Sequence, residues 1–169
     1  ALSNKNEDLS RRDADVAVRM ARPTQNSVVA KKVGEVALGF HAAPDYLARR
    51  PPPKDFEDLA GHVLIGFDRN IPELAKELSV GRPISRDLFA YRTDNDMAQL
   101  AAIRAGVGIG VCQRQIGRRY GLTPVLPELF GFSLDLWICM HETLRGSPRM
   151  RLIFDHLAAE FAAYAAEEA

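Results

Sequence analysis

Thr93, Asp94 and Asn95 are the best candidates for ligand chemistry in the sequence. They precede a segment whose apolar side chains recur at the spacing that is typical of a helix. Asp94 or Asn95 can accept a hydrogen bond from the free N–H groups of the first turn, so the helix is predicted to begin here. Because those N–H groups and the helix dipole favour acceptor groups, we predict that all three residues contact a small ligand. Plain capping is the structural alternative, and both roles are compatible. Asp94 and Asp96 would weaken a pure anion site, so a ligand with donor groups is a second alternative.

The glycines Gly106, Gly108 and Gly110 follow this predicted helix and precede a predicted strand. A dinucleotide-binding fingerprint needs the opposite order, in which a strand leads through glycines into a helix N-terminus. We therefore expect no nucleotide site at these residues. Gly106 is predicted to end the helix in the left-handed conformation, and the run of glycines to permit a tight turn and close packing.

Other candidate ligand contacts lie on predicted strands. Arg19 ends a strand, and an arginine can hold a carboxylate with two parallel hydrogen bonds, although a solvated surface arginine is the alternative. His41 and Ala42 end a second strand and His141 follows a third, where a histidine can line a cleft or sense its protonation; a structural hinge is the alternative. Phe67, at the end of the strand 63–67, completes the predicted ligand-binding set.

Composition excludes several classes of function. The chain has 169 residues, with 22 Lys plus Arg balancing 22 Asp plus Glu, so it lacks the broad basic surface of a nucleic-acid binder. Cys112 and Cys139 lie in apolar runs and are predicted to be buried free thiols. Histidines and cysteines show no metal-ligand spacing, so we expect neither metal nor cofactor. The sequence contains no nucleophile-elbow motif, and we expect no catalytic residue and no enzyme. We also expect an intracellular protein, since no signal peptide opens the chain.

Predicted strands and helices alternate along the chain, which favours an α/β architecture with mostly parallel sheets. Strands are predicted at residues 16–20, 27–30, 36–42, 63–67, 88–91, 109–111 and 134–140, and a turn near 32–35 separates the second from the third. Helices are predicted at 9–15, 45–50, 54–60, 72–78, 94–104, 116–120 and 149–166.

The predicted strands 36–42 and 134–140 lie on either side of residues 43–133 in the sequence. This is the arrangement of the two crossover strands in a two-lobed protein, where the chain passes from one lobe to the other and back. One lobe is therefore predicted to combine residues 1–42 with 134–169, and the other to span residues 43–133. A ligand would lie between the lobes.

The chain resembles the effector-binding domain of LysR-type transcriptional regulators. The matching segments are residues 8–9, 13–19, 39–47, 58–62, 65–67, 92–94, 105–110, 124–127, 134–137 and 147–151, in the family's order and spacing. Cys112 and Gln113 depart from the pattern, because the family commonly has an apolar residue and proline there. Gln113 can hydrogen-bond to a ligand or simply end its strand in solvent.

The resemblance implies a two-lobed, periplasmic-binding-protein-like domain that binds a small metabolite, often an organic acid, between its lobes. It implies a cytoplasmic protein that forms dimers or tetramers and contacts DNA through an N-terminal winged helix-turn-helix. We expect this DNA-binding domain, and the first strand and helix of the effector domain, to precede Ala1. Two alternatives are a periplasmic-type solute-binding protein, which would need an export signal, and a small α/β enzyme.

Overall fold

The computed structural model describes residues 14–23 and 27–167. The strands are β1 (Val16–Arg19), β2 (Val28–Ala42), β3 (Ile65–Gly66), β4 (Tyr91–Arg92), β5 (Gly110–Gln113), β6 (Thr123–Val125) and β7 (Phe132–His141). The α-helices are α1 (Pro44–Arg49), α2 (Glu73–Glu77), α3 (Asp96–Arg104), α4 (Arg114–Arg119) and α5 (Pro148–Ala166). Short 3₁₀ turns cover Asp58–Gly61, Arg86–Leu88 and Glu142–Leu144.

Two compact units make up the described chain. The first combines the described residues up to Ala37 with those from Ser133 onward, and the second is Leu38–Phe132. The chain passes from the first unit to the second within β2 and returns at the start of β7.

The first unit is built on β1, β7 and the N-terminal part of β2, in that order across the sheet. Helix α5 begins at Pro148, behind the N-cap Ser147, and buries Phe154 and Ala158. These two side chains form a core with Ile138 and Met140 of β7. The helical spacing of the apolar positions thus gives α5 one face against the sheet.

The second unit has a larger core around β2, β5 and α3. The C-terminal part of β2 pairs with β5 on one side and with β6 on the other. β3 and β4 form a separate parallel pair, and an isolated parallel bridge joins Leu64 to Ile109. Ile103 and Ile109 are fully buried where α3 and β5 meet.

Mostly parallel sheets were predicted, and the structure does not confirm this. β1 pairs with β7, and β2 pairs with both β5 and β6, in antiparallel register. Among the described pairings only β3 with β4 and the Leu64–Ile109 bridge are parallel. Alternation of strands and helices along the chain does not determine direction here, because the long strands β2 and β7 pair with strands distant in sequence.

The predicted turn near residues 32–35 is wrong, because β2 runs unbroken from Val28 to Ala42. Gly34 lies inside that strand, and a Cβ there would be 2.5 Å from the Cβ of Ala165. The glycine therefore permits close approach of α5 and does not mark a turn.

Several shorter elements also differ from their prediction. The helix predicted over 54–60 is only the 3₁₀ turn Asp58–Gly61, and the strand predicted over 88–91 is shifted to β4. β6 was not predicted. The helix predicted over 9–15 lies outside the described residues except for residues 14 and 15, which are not helical.

Candidate functional site

The N-terminus of α3 is held by side chains that directly precede it. Asn95 is the N-cap, and its Oδ1 accepts a hydrogen bond of 3.0 Å from the Ala98 N–H. The Thr93 Oγ1 accepts one of 3.2 Å from the Asn95 N–H. The prediction of a capped helix start is therefore confirmed, with Asn95 as the cap.

Asp94 binds a loop that follows β3. Its carboxylate accepts hydrogen bonds from the backbone N–H groups of Asp68, Arg69 and Asn70, at 2.9 to 3.2 Å, and from the Asn70 side-chain amide at 3.0 Å. Desolvation acts to raise the pKa of Asp94, but these donors outweigh it and lower the pKa. The carboxylate is thus ionised and its charge is directed into the loop.

Thr93 is fixed by its backbone as well as by its hydroxyl. Its N–H donates to the Gly66 carbonyl of β3 at 2.9 Å, and its own carbonyl accepts a 2.8 Å hydrogen bond from the side-chain amide of Gln99. Gln99 is only 6% exposed. It was not among the residues predicted from the sequence, although a glutamine among the apolar positions of a helix is a signal for a buried polar partner.

Phe67 lies one residue beyond β3, next to this segment in the fold. Its ring packs edge-on against that of Phe89, with centroids 6.2 Å apart. Because Gly66 and Asp68 bond to residues 93 and 94, the structure brings Phe67 together with Thr93, Asp94 and Asn95. We call these four residues the α3 segment.

The α3 segment retains hydrogen-bond donors. Within the described part of the chain, neither the Thr93 hydroxyl hydrogen nor the Asn95 side-chain NH₂ has a partner, since both side chains use only their oxygens. Asn95 is exposed and Thr93 is half-buried. The segment can therefore donate to a ligand oxygen from two side chains without losing its internal contacts.

His41 and Ala42 are buried in the second unit, at 2% and 0% exposure. The His41 Nδ1 lies 3.0 Å from the Gly39 carbonyl, which can only accept, so Nδ1 carries the proton. Burial lowers the pKa of His41, the Gly39 carbonyl opposes this, and the nearby Arg114 lowers the pKa further. The ring packs so closely on Gly117 that a Cβ there would be 2.5 Å from it. This packing favours the structural alternative for His41.

Arg19 and His141 belong to the first unit and are not close to each other. Arg19 is opposite Trp137 in the antiparallel pair of β1 and β7, whereas His141 ends β7 four residues farther on. At about 3.3 Å per residue they are roughly 13 Å apart along the sheet. The His141 Nδ1 lies 2.8 Å from the Thr143 hydroxyl and caps the 3₁₀ turn that follows.

The structure confirms that Gly106 ends α3 and that the glycines after it permit close packing. Gly106 has φ +69°, and the bonds from its N–H to Ile103 and from the Val107 N–H to Ala102 form a Schellman motif that ends α3. Gly108 faces Val63, whose carbonyl oxygen would overlap a Cβ at this position. These glycines serve the turn and the packing.

The cysteines are buried free thiols, as predicted. Burial raises the pKa of Cys112 to about 12 and that of Cys139 to about 11. Among residues 14–23 and 27–167, no three His, Cys, Asp or Glu side chains are grouped as metal ligands. Within the same ranges, every helix is too short or too polar to traverse a lipid bilayer.

Comparison with known proteins gives one family. The family model described as the LysR substrate binding domain matches residues 3–162. No curated protein matches the chain.

Solved structures with similar folds include transcriptional regulators from three bacteria. The regulatory domain of CrgA, a LysR-type transcriptional regulator from Neisseria meningitidis, is 21% identical, with a TM-score of 0.78 over 94% of this chain and 80% of that one. The effector domain of the transcriptional regulator AmpR of Pseudomonas aeruginosa is 22% identical, with a TM-score of 0.67 over 98% and 80%. The full-length Vibrio cholerae virulence activator AphB is 23% identical, with a TM-score of 0.68 over 94% and 56%. The chain therefore spans little more than half of that full-length regulator.

Proposed function

The chain belongs to the LysR substrate binding domain family, and from this we propose that it is the ligand-sensing regulatory domain of a bacterial transcription factor. The fold it shares with the regulatory domains of CrgA and AmpR supports the proposal. In this role the domain binds a small metabolite and passes the binding event to a DNA-binding domain. A ligand can do so only by its difference in affinity for two arrangements of the protein.

We assign DNA binding to an N-terminal winged helix-turn-helix that would precede Ala1. The net charge of zero supports this division, because the chain lacks a broad basic surface. We further propose that the protein acts in the cytoplasm as a homodimer or tetramer. The alternative of a periplasmic-type solute-binding protein is not supported, because the matching family is one of transcription regulators and not of transport proteins or enzymes.

The α3 segment is our proposed ligand-binding element within the second unit. The observation that carries it is the pair of available donors, the Thr93 hydroxyl and the Asn95 NH₂, fixed in place by bonds to β3 and α3. The negative charge of Asp94 argues against an anionic ligand. However, four donors of the 68–70 loop bind that carboxylate, so its charge is directed into the loop and not towards a ligand. We therefore propose a ligand with acceptor oxygens, such as a small organic acid.

The other predicted contacts differ in what they can offer a ligand. Arg19 can hold a carboxylate through its guanidinium, and His141 lies at a strand end where its imidazole is partly accessible. Both remain proposed contacts. The burial of His41 and Ala42 leaves them little surface for a ligand, so we propose that they support the fold around it.

A thermal-shift screen of small organic acids tests the proposed function. A ligand at about a hundred times its Kd stabilises the native state by about 2.7 kcal/mol. In a chain of this length that raises Tm by roughly 5–10 °C. Amines and sugars of similar size serve as a comparison set, and the proposal expects the acids to give the larger shifts.

Thr93→Ala then tests the position of the site. Loss of one hydrogen bond, worth about 0.5–1.5 kcal/mol, should weaken the best ligand roughly two- to tenfold. Thr123→Ala is the matched control, because Thr123 is an exposed threonine on β6. Equal affinity in both variants would show that the α3 segment is not part of the ligand site. If no compound of the panel stabilises the chain, the proposed metabolite sensing is contradicted.

A further inference from the structure

Tyr46, His62 and the Val63 backbone form a hydrogen-bonded chain between α1 and the residues before β3. The Val63 N–H donates to the Tyr46 Oη at 3.0 Å, and the same oxygen lies 3.1 Å from the His62 Nδ1. Tyr46 is only 4% exposed. None of these contacts involves the α3 segment, so their role is independent of the proposed function.

The direction of each hydrogen bond follows from the donor count. A tyrosine hydroxyl has one hydrogen and can accept two. Because the Val63 N–H uses an acceptor position, the Tyr46 hydrogen is left for the His62 Nδ1, which must then be unprotonated. Within the described part of the chain, the Tyr46 hydroxyl has no other hydrogen-bond partner. All three groups are satisfied only while His62 is neutral, with its hydrogen on Nε2.

Protonation of His62 breaks this arrangement. A hydrogen on Nδ1 would have to donate to the Tyr46 Oη, and the buried Tyr46 hydrogen would lose its acceptor. Leaving a buried donor unsatisfied is costly, so the hydroxyl must move to find water. The Val63 N–H then loses its bond as well.

We propose that Tyr46, His62 and Val63 form a pH-sensitive latch, closed when His62 is neutral and open when it is protonated. The charged groups around His62 are Arg50 of α1 and Asp58 of the 3₁₀ turn. Arg50 is held at this place by a 2.6 Å hydrogen bond to the Gly61 carbonyl, so a second positive charge on His62 is disfavoured.

The sign of the pH dependence follows from the surroundings of His62. Burial and the charge of Arg50 lower the pKa of His62, while Asp58 opposes them. The latch is therefore closed above the ordinary pKa of 6.5 and opens as the pH falls through the lowered value.

Opening the latch acts on the strand that follows it. The Val63 carbonyl accepts the Ile109 N–H at 2.9 Å, and the Ile65 N–H donates to the Ile109 carbonyl at 2.8 Å. Val63 therefore links the latch to the bridge between Leu64 and Ile109, which directly precede β3 and β5. Residues of this strand become less firmly held in acid.

Amide hydrogen exchange measured by NMR tests the latch. The ratio of the Val63 to the Ile138 exchange rate, taken at each pH, cancels the intrinsic pH dependence of exchange, because Ile138 lies on β7 in the first unit and takes no part in these contacts. We expect this ratio to rise about tenfold in the wild-type chain as His62, followed by its own ring resonances, becomes protonated.

Two variants fix the latch in opposite states. In His62→Asn the side-chain oxygen takes the place of Nδ1 and can accept the Tyr46 hydrogen but cannot titrate, so the ratio should stay low at every pH. In Tyr46→Phe the latch is absent, so the ratio should be high at every pH. His156→Gln is the control, because His156 is exposed on α5 and should leave the wild-type profile unchanged. A constant ratio while His62 titrates, or a profile unaffected by His62→Asn, overturns the proposal.

Discussion

Replacing Gly108 by alanine tests the close packing between residue 108 and the segment before β3. An alanine Cβ would overlap the Val63 carbonyl oxygen and lie 2.9 Å from the Val63 Cβ. This carbonyl accepts the Ile109 N–H at 2.9 Å, beside the 2.8 Å bond from the Ile65 N–H to the Ile109 carbonyl. Backbone atoms cannot move aside as a flexible side chain can, so both hydrogen bonds must stretch.

The expected cost follows from these contacts. Overpacking of a well-packed site costs about 1–3 kcal/mol. Weakening two backbone hydrogen bonds adds about 0.5–1.5 kcal/mol each at most. We expect the free energy of unfolding to fall by roughly 3 kcal/mol, which corresponds to a Tm about 6–12 °C lower.

Thermal unfolding followed by circular dichroism measures this change. Gly61→Ala is the matched control, because a Cβ on Gly61 meets no atom within 4 Å and its φ is not positive. We expect the control to stay within about 0.5 kcal/mol of the wild type. If the Tm of Gly108→Ala equals that of the control, residue 108 is not packed as closely on Val63 as the structure indicates, and the reasoning is refuted.

Three further outcomes are expected. Asn95→Ala removes the N-cap of α3 and should lower the free energy of unfolding by about 1 kcal/mol in urea titrations; an unchanged midpoint would contradict the cap. Burial lowers the pKa of His41, so the stability that the neutral ring contributes is present above pH 6.5 and is lost as the pH falls through the lowered value. The urea midpoint of the wild-type chain should therefore drop in acid, and it should drop less steeply in His41→Gln. With pKa values of about 12 and 11, Cys112 and Cys139 should react with thiol reagents only after denaturation; fast labelling of the native chain would contradict their burial.

Local signals were enough to predict the start and the end of α3. Asn95 caps the helix and Gly106 ends it, and both effects depend on residues within one turn of the terminus. The same holds for Pro148 at the start of α5. Such features are readable because the donor, the acceptor and the backbone angle all belong to a few adjacent residues.

Contacts between distant residues were not readable in the same way. Gly34 resembled part of a turn, but its role is to admit Ala165 from a helix more than a hundred residues away in sequence. The antiparallel pairing of β2 with β5 and β6 likewise depends on long-range partners. Asp94 was predicted as a ligand contact, and its bonds to the 68–70 loop, about 25 residues away, could not be inferred from its neighbours.

The carboxylate of Asp94 gives the 68–70 loop a permanently attached counterion. A cluster of backbone N–H groups of this kind usually collects a free anion, whose occupancy varies with its concentration. Here the anion is part of the chain, so dilution does not remove it, and dissolved phosphate or chloride must displace a tethered group to enter. The conformation of the loop is therefore independent of the salt composition of the solution. Only strong acid, at a pH below the lowered pKa of Asp94, protonates the carboxylate and frees the loop.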